Sequence, residues 1–407
     1  MEVKPGYKQT EVGVIPEEWD VKTLGEAVDF LDGRRRPVKD SDRAKLRGDI
    51  PYYGASGIVD YVNDYLFDED LILLGEDGEN ILSRNCRLAF KISGKNWVNN
   101  HAHVLRPKPN FVLDYLVEFL ESRDYAQYNT GTAQPKLNKL VCSGIPVVQP
   151  PMAEQRAIAT ALSDVDRLLA GLDRLIAKKR DLKQATMQQL LTGQTRLPGF
   201  HGEWEVKRLG DVISHCFSGA TPRRNRPEFY KGNVRWITSG ELNYNVITDT
   251  LEKISSEAVA ETNLTIHPVG TFLMAITGLE AEGTRGACGI VGAPSTTNQS
   301  CMAVFPTAAL AREFLFHYYV FRGKSLALQY CQGTKQQSYT ASLVKQLPIE
   351  LPPTVPEQAA IAEVLSDMDA ELAVLEQRRE KTRALKQAIM QELLTGRTRL
   401  VATQVAP

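Results

Sequence analysis

The chain has 407 residues, of which 43% are hydrophobic and 24% charged, and this composition excludes an intrinsically disordered protein. A formal net charge of −1 argues against a wholly basic nucleic-acid binder, so any nucleic-acid surface must be local or completed by a partner. Six cysteines without a C-x-x-C pair argue against a disulfide framework or zinc site, and without a membrane-length apolar run we expect a cytoplasmic protein.

The first predicted domain, residues 1–150, mixes short strands with one helix. An arginine run follows Gly33, and a polar loop, GTAQP, occurs near the end of the domain at 131–135. We predict an α/β domain, with strands and helices segregated as in the α+β class. Its strand-like runs lie at 51–62, 70–78, 87–93 and 101–107, and its helix at 111–122.

A long helix is predicted next, at residues 151–193. At 1.5 Å per residue, a helix of nearly forty residues spans about 55–60 Å. Its apolar side chains recur at alternating steps of four and three residues, which is typical of a coiled-coil seam. The seam positions are Ile158, Leu162, Val165, Leu169, Leu172 and Ile176.

The second half of the chain follows the same plan. A second domain is predicted at 194–352, a second long helix at 353–396 and a short tail at 397–407. The second seam consists of Ile361, Leu365, Met368, Leu372 and Leu375. The strand-like runs of this half lie at 234–242, 270–278, 286–292 and 301–306, with a helical run at 311–322.

The two halves are copies of one unit. Residues 154–197 return as 357–400 without a gap, and well over half of the positions are identical. By contrast, residues 26–130 and 211–332 hardly resemble one another. We therefore predict two similar domains separated by two long antiparallel helices that form a coiled coil, in a pseudo-twofold arrangement. In the alternative, each helix packs on its own domain, which requires a wider apolar face.

The variable segments contain many side chains that suit DNA contacts. Arginine forks match guanine, and the amides of asparagine and glutamine match adenine. A solvated loop side chain is the simpler interpretation of any single one, so the indication is the pattern in both halves. The candidates are Arg34, Arg35, Arg36, Tyr52, Tyr53, Asn99, Asn100, Thr221, Arg223, Arg224, Asn225, Arg226, Gln299, Lys335 and Gln336.

The catalytic motifs that we considered are missing from the sequence. An amino-methyltransferase needs an [N/D/S]-P-P-[Y/F] loop, whereas the chain has QPPM at 149–152 and LPPT at 351–354. There is no phosphate-binding P-loop, and no G-x-G-x-x-G follows a strand. His101 and His103 share a predicted strand face but have no further metal ligands nearby in the sequence. We therefore expect a non-catalytic chain that binds no cofactor and no metal.

The whole chain resembles the DNA-specificity subunits of type I restriction-modification systems. The resemblance rests on the opening YKQTEVGVIPEEWDVKTLG, the G-x-x-Q loops, the proline-rich segments before each helix and the LLTGxTRL helix ends. It implies two target recognition domains that each read half of a bipartite DNA site, with the helices setting the spacer. It also implies two modification subunits that use S-adenosylmethionine, and restriction subunits that use ATP and magnesium.

Two other classes of function compete with this interpretation. The first is a DNA-independent scaffold whose coiled coil displays two protein-binding modules. The second is a free-standing nuclease or methyltransferase, which the missing motifs disfavour. The bias of the loops in both halves towards arginine, asparagine, glutamine and tyrosine favours DNA over the scaffold.

Overall fold

The computed structural model describes residues 4–333 and 337–400, which form two compact units. Unit 1 comprises the residues up to Asp173 together with those from Gln377 onward, and unit 2 comprises Arg174–Glu376. Each unit is built from one mixed α/β domain and a part of each long helix. The predicted fold class is therefore confirmed.

The first domain consists of short elements. The predicted strand run 51–62 is divided between two strands, and the run 87–93 contains one shorter strand. The elements are β1 (Tyr7–Thr10), β2 (Gly13–Pro16), β3 (Asp20–Thr23), α1 (Leu24–Ala27), β4 (Val28–Phe30), α2 (Asp40–Arg43), β5 (Arg47–Gly54), β6 (Gly57–Val62), β7 (Phe67–Asp68), β8 (Leu71–Gly75), α3 (Asn80–Ser83), β9 (Ala89–Ile92), β10 (Lys95–Val98), β11 (Ala102–Pro107), α4 (Leu113–Glu121), α5 (Lys139–Ser143) and β12 (Pro146–Gln149).

Two sheets organise this domain. The main sheet has the antiparallel order β4-β11-β8-β9, and the second sheet has the order β6-β5-β10-β7. Every residue of β8 is buried, because α4 packs near one face of the main sheet and the cluster around Phe67 and Val104 covers the other. A continuous apolar run is the pattern expected of a strand covered on both faces.

The long helices run from Met152 to Leu190 (α6) and, after the second domain, from Val355 to Leu394 (α11). The elements of that domain are β13 (Glu205–Arg208), α7 (Leu209–Val212), β14 (Ile213–Ser218), β15 (Val234–Ile237), β16 (Asn245–Ile247), β17 (Lys253–Ile254), α8 (Ser256–Glu261), β18 (Phe272–Ala275), β19 (Cys288–Val291), β20 (Ser295–Thr297), β21 (Cys301–Pro306), α9 (Arg312–Tyr330), α10 (Ala341–Gln346) and β22 (Pro348–Leu351). Its main sheet has the order β14-β21-β18-β19-β16, and a smaller sheet has the order β17-β15-β20.

Ion pairs between the helices fix their relative direction within each unit. In unit 1, Lys386 lies 2.8 Å from Asp166, and Arg379 lies 3.4 Å from Asp173. Residue numbers rise along one helix as they fall along the other, so the two segments are antiparallel. The same holds in unit 2, where Lys179 lies 2.7 Å from Glu371 and Lys183 pairs with Asp369.

The residues of the predicted seam pack in two different ways. Ile158 and Leu162 belong to the core of unit 1, and Ile361 and Leu365 to the core of unit 2, so each helix begins by packing on the domain that precedes it. The first turns of both helices therefore follow the alternative prediction, in which each helix packs on its own domain. The other positions are buried at Leu172, Ile176 and Leu372 and half-buried at Val165, Leu169, Met368 and Leu375.

The duplicated residues also build the same buried anchor in each unit. In unit 1, the guanidinium of Arg399 donates two hydrogen bonds, of 2.5 and 2.7 Å, to the fully buried carboxylate of Glu154. In unit 2, Arg196 does the same to Glu357 at 2.5 and 2.6 Å. Bidentate arginine–carboxylate pairs are strong and geometrically specific, so each anchor ties the segment after one helix to the start of the other.

Candidate nucleic-acid interface

In unit 1, polar loops meet at one edge of the main sheet. Strands β4 and β8 end at this edge, and the antiparallel β11 begins there, because Gly75 pairs with Ala102. The amide of Glu76 donates to the carbonyl of His101, at 2.9 Å. The loop that contains GTAQP joins the same edge, since Asp77 and Lys136 form a β-bridge. The arginine run, the Asn99–His101 turn and this loop are therefore neighbours.

The three arginines of the run lie in different environments. Arg34 covers the ring of Phe67, with its guanidinium carbon 4.6 Å from the ring centroid, and donates to the carbonyl of Leu66 at 2.7 Å. Arg35 is turned inward, and its side chain is only 13% exposed. Arg36 is exposed and has no ion pair in the part of the chain that the structure describes. Arg35 is therefore a poorer candidate for a DNA contact than predicted, because its side chain is engaged by other groups inside the domain.

Arg35 belongs to a buried network centred on His103. Arg35 donates to the carboxylate of Glu76 at 2.6 Å, and Nδ1 of His103 lies 2.7 Å from Asp32. On its other side, Nε2 of His103 lies 2.8 Å from the carbonyl oxygen of Leu137. The network thus joins the turn that bears the arginines to the end of the polar loop.

The charge state of His103 follows from these contacts. Burial alone would lower its pKa, but the hydrogen bond to Asp32 and the proximity of Cys142 raise it to about 10. Burial would likewise raise the pKa of Asp32, but the hydrogen bond to His103 lowers it overall. The pair is therefore an imidazolium and a carboxylate at neutral pH, which explains how a histidine that is 1% exposed is stabilised.

Two other predicted contacts in this unit are structural. Tyr52 is 1% exposed, and its hydroxyl accepts a hydrogen bond from the amide of Val38. Asn99 is 7% exposed, and its side-chain oxygen accepts from the amide of His101 at 2.8 Å, which closes the turn. Tyr53 is half-buried against Phe90. Of the predicted pair of asparagines, only Asn100 is exposed at the edge.

Unit 2 repeats this edge with other side chains. The amide of Ile276 donates to the carbonyl of Ser300 at 2.9 Å, as Glu76 does to His101. The side chain of Asn298 accepts from the amide of Ser300 at 3.0 Å, which closes the same turn as Asn99. Gln299 therefore occupies the exposed position that Asn100 has in unit 1, and Thr221 donates a hydrogen bond to its side chain.

The arginines of unit 2 are mostly paired with acidic residues. Arg224 makes two hydrogen bonds to Glu252, at 2.6 and 2.8 Å, and its guanidinium carbon lies 4.3 Å from the centroid of the Tyr230 ring. Arg226 lies among Glu228, Glu257 and Glu261, within 2.7, 3.0 and 2.5 Å. These two arginines stabilise the loop. Arg223 makes only a long contact, of 4.0 Å, with Glu261, and its side chain is 76% exposed. Arg223 and the exposed Asn225 are therefore the side chains of this loop best placed to reach a ligand.

Two predicted contacts, Lys335 and Gln336, lie outside the described residues. The adjacent Gln337 donates its amide to Glu280 at 2.9 Å, which places it beside the loop that follows β18. Two features of the unit 1 edge were not predicted from the sequence. They are the position of Lys136 at this edge and the pairing of His101 with Asp77. The repetition of the G-x-x-Q loop next to Lys136 could have indicated that position.

Metal-binding clusters and membrane-spanning helices are two other features that could indicate a function. Within residues 4–333 and 337–400, no group of three or more histidine, cysteine, aspartate or glutamate side chains is placed to hold a metal ion. Among the helices of those same residues, none is both long and apolar enough to cross a bilayer. The loops at the two sheet edges therefore remain the candidate site.

Comparison with known proteins identifies the family. The profile of the type I restriction modification DNA specificity domain matches residues 16–178 and 201–383. A type I restriction enzyme specificity subunit of Methanocaldococcus jannaschii is 24% identical over 416 residues, which cover 95% of this chain and 94% of that protein.

Solved structures agree in fold. The S subunit of a type I restriction-modification system from M. genitalium superposes with a TM-score of 0.64 at 12% identity, over 97% of this chain and 98% of that one. A chain from a study of complex assembly and conformational transition in the type I R-M system gives 0.56 at 17% identity, over 94% and 99%. The chain belongs to the type I restriction-modification DNA-specificity family.

Proposed function

We propose that the chain reads a bipartite DNA site, with one half-site contacted by the loops at the sheet edge of each unit. The observation that supports this most is that the two edges share a backbone but differ in exposed side chains. Arg36 and Asn100 project from unit 1, and Arg223, Asn225 and Gln299 from unit 2. Arginine forks suit guanine and amides suit adenine, so the two edges suit different sequences.

We further propose that the chain is a non-catalytic subunit. The modification subunits would bind S-adenosylmethionine and methylate the DNA, and restriction subunits, where present, would use ATP and magnesium. Matched exposed leucines on the long helices are candidate contacts for the two modification subunits. Leu182 in unit 2 is 49% exposed, and Leu385 in unit 1 is 56% exposed. The duplication places them at equivalent positions, as expected if each unit binds one copy of the same partner.

The decisive experiment maps methylated adenines in DNA from cells that express this chain with a modification subunit. A reader of two half-sites gives one motif with two defined parts and a fixed spacer. Replacing residues 211–332 with the matching segment of a relative should change one part only. If both parts change, the two units do not read independently. If no defined motif appears, the chain does not confer specificity.

The competing proposal is a DNA-independent scaffold with two protein-binding modules. The edge loops of both units could hold peptides, since hydrogen-bonding side chains are not selective for nucleic acids. Competition binding separates the two ideas. The chain assembled with its modification subunit should retain a duplex that carries the mapped motif against an excess of unrelated duplex, whereas a scaffold should show no preference.

A further inference from the structure

One segment of the unit 2 edge, residues 238–245, has no counterpart among the described residues of unit 1. Tyr53 and Ile237 are equivalent, because their carbonyls accept from the amides of Asn99 and Asn298 at 3.0 and 2.9 Å. After Tyr53 the chain turns back at once into β6. After Ile237 it continues instead through a short 3-10 turn to β16, which joins the main sheet. The longer path therefore adds residues 238–245 to the unit 2 edge.

Tyr244, within this segment, has an unfavourable backbone conformation. Its φ angle is +56°, in the left-handed region where a bulky residue is a rare outlier. Tyr244 is 42% exposed, and partial burial next to Cys288 raises the pKa of its hydroxyl, so the core covers one part of the side chain and leaves another part open to a ligand. Strain of this kind persists where the surrounding structure enforces it, and it is concentrated at functional sites.

Hydrogen bonds place Tyr244 on the same sheet edge as Gln299. Its amide donates to the carbonyl of Cys288 at 2.8 Å, at the start of β19. From there the edge continues through the end of β18 to Ser300, at the start of β21. Tyr244 thus lies three strand spacings from Ser300, or about 14 Å at 4.8 Å per spacing. That distance corresponds to about four base pairs of B-DNA at 3.4 Å per pair.

We propose that Tyr244 is a specificity-determining residue that contacts DNA in the half-site read by unit 2. The ring would pack against apolar parts of the base edges, such as a thymine methyl group, and the hydroxyl would donate to a base or phosphate oxygen. Asn243 and Asn245 flank it and offer amides to the same duplex. The inference rests on the proposed function and adds to it a DNA-contacting residue in the half-site read by unit 2.

Glycine provides a test that separates binding from folding. Since glycine adopts a positive φ without a steric penalty, Tyr244→Gly should leave the melting temperature unchanged or raise it. The matched control is Asn263→Gly, which relieves a φ of +51° in the same unit, at a residue outside this edge. Tyr244→Phe keeps the ring and removes only the hydroxyl.

Binding is measured for the chain assembled with its modification subunit, on the duplex that carries the methylated motif of the wild-type system. We expect Tyr244→Gly to weaken binding at least about tenfold and to relax the motif only in the half read by unit 2, while Tyr244→Phe loses less. Asn263→Gly should bind as the wild type does. Unchanged affinity, or a lower melting temperature for Tyr244→Gly, would overturn the inference.

A further pair of variants distinguishes this failure from that of the proposed function. Arg36→Ala and Gln299→Ala alter the two edges without changing Tyr244. If both weaken binding and Tyr244→Gly does not, only the role of Tyr244 is wrong. If none of the three changes affinity or motif, the edges do not contact DNA and the proposed function itself fails.

Discussion

Arg35 and Arg36 are adjacent but have opposite roles in our interpretation. The guanidinium of Arg35 donates to Glu76 and to the carbonyl of Ala102, at 2.6 and 2.7 Å, and is largely buried. The exposed Arg36 is anchored through its backbone, whose carbonyl accepts from the indole nitrogen of Trp97 at 2.7 Å, and its side chain makes no hydrogen bond within residues 4–333 and 337–400. Because the backbone of Arg36 is fixed and its side chain is not, it is well placed to contact a ligand.

Substituting each arginine with alanine should separate stability from binding. Arg36→Ala should cost about 1–3 kcal/mol of binding free energy if the side chain reads a base, with little change in stability. Arg35→Ala leaves the buried Glu76 short of a partner and should reduce the free energy of unfolding by about 3–5 kcal/mol. Chemical denaturation and duplex binding measure the two effects. Equal destabilisation by both substitutions would contradict this division.

The His103 network predicts a pH dependence confined to unit 1. The pKa of His103 is raised from 6.5 to about 10 in the folded chain. Because the folded pKa exceeds the unfolded one, the stabilisation is fully present below about pH 6.5 and is lost as the pH rises towards 10. The groups that face the imidazole are Asp32, Glu76, Arg35 and Cys142. The carboxylates of Asp32 and Glu76 stabilise the protonated imidazole of His103, so it loses its proton only at high pH.

We therefore expect backbone amides of β11 to exchange hydrogen faster, relative to their intrinsic rates, at pH 9.5 than at pH 6.5. Unit 2 supplies an internal control, because Met302 occupies the second position of β21 as His103 does in β11. Amides of β21 should show a smaller change. His103→Gln should abolish the difference between the two strands. An unchanged pH response in that variant would assign the effect to another group.

At the scale of the helix ends, two equivalent glycines differ in their surroundings. Gly193 and Gly396 end the same LLTG sequence and share a φ of +69°, which suits glycine. A Cβ added at Gly396 would lie 2.5 Å from the ring of Pro16, which is too close for any real contact. At Gly193 the nearest atoms, in the indole of Trp204, lie at 3.2 Å. The second helix end is therefore packed more tightly than the first.

Alanine at each glycine should reveal this difference. Gly193→Ala should cost about 1–2 kcal/mol, mainly for the left-handed backbone. Gly396→Ala should cost about 1–3 kcal/mol more, because the methyl group must displace Pro16 or the helix end. Melting curves of the two variants supply the comparison. A similar loss in both would mean that Pro16 moves aside freely.

The long helices were predictable, whereas the fate of individual loop residues was not. The predicted helices at 151–193 and 353–396 differ from Met152–Leu190 and Val355–Leu394 only at their ends, because periodicity and capping residues are local signals. Whether Tyr52 or Tyr53 is buried depends on the pairing of β5 with β6 and with β10, and β10 lies far from β5 in the sequence, between two predicted strand runs. Tertiary packing therefore determines which of the predicted loop residues are exposed at the candidate site.

The whole chain combines two edges that differ with helices that repeat. In each unit the segments of α6 and α11 are held together by the same duplicated pair, Asp166 with Lys386 in unit 1 and Asp369 with Lys183 in unit 2. Substitutions in the edge loops leave these pairs untouched. If the edges contact DNA as proposed, their side chains can therefore change while the frame stays the same.

The proposed role of the helices in setting the spacer can be tested by lengthening them. Four residues added after Asp173 in α6 and four after Arg378 in α11 lengthen each helix by about 6 Å. The two points adjoin the ion pair between Asp173 and Arg379, so the antiparallel register of unit 1 is preserved. At 3.4 Å per base pair, the methylated motif should then have a spacer longer by one to two base pairs, with both half-sites unchanged.

Extension of one helix alone is the control, since it mismatches the pairing and should lower stability without defining a new spacer. Some affinity should also be lost in the doubly extended chain, because each added base pair rotates the second half-site by about a tenth of a turn. Methylation mapping in cells reads the spacer and both half-sites together. A doubly extended chain that folds and still methylates only the original spacing would show that the length of the helices does not set the distance between the half-sites.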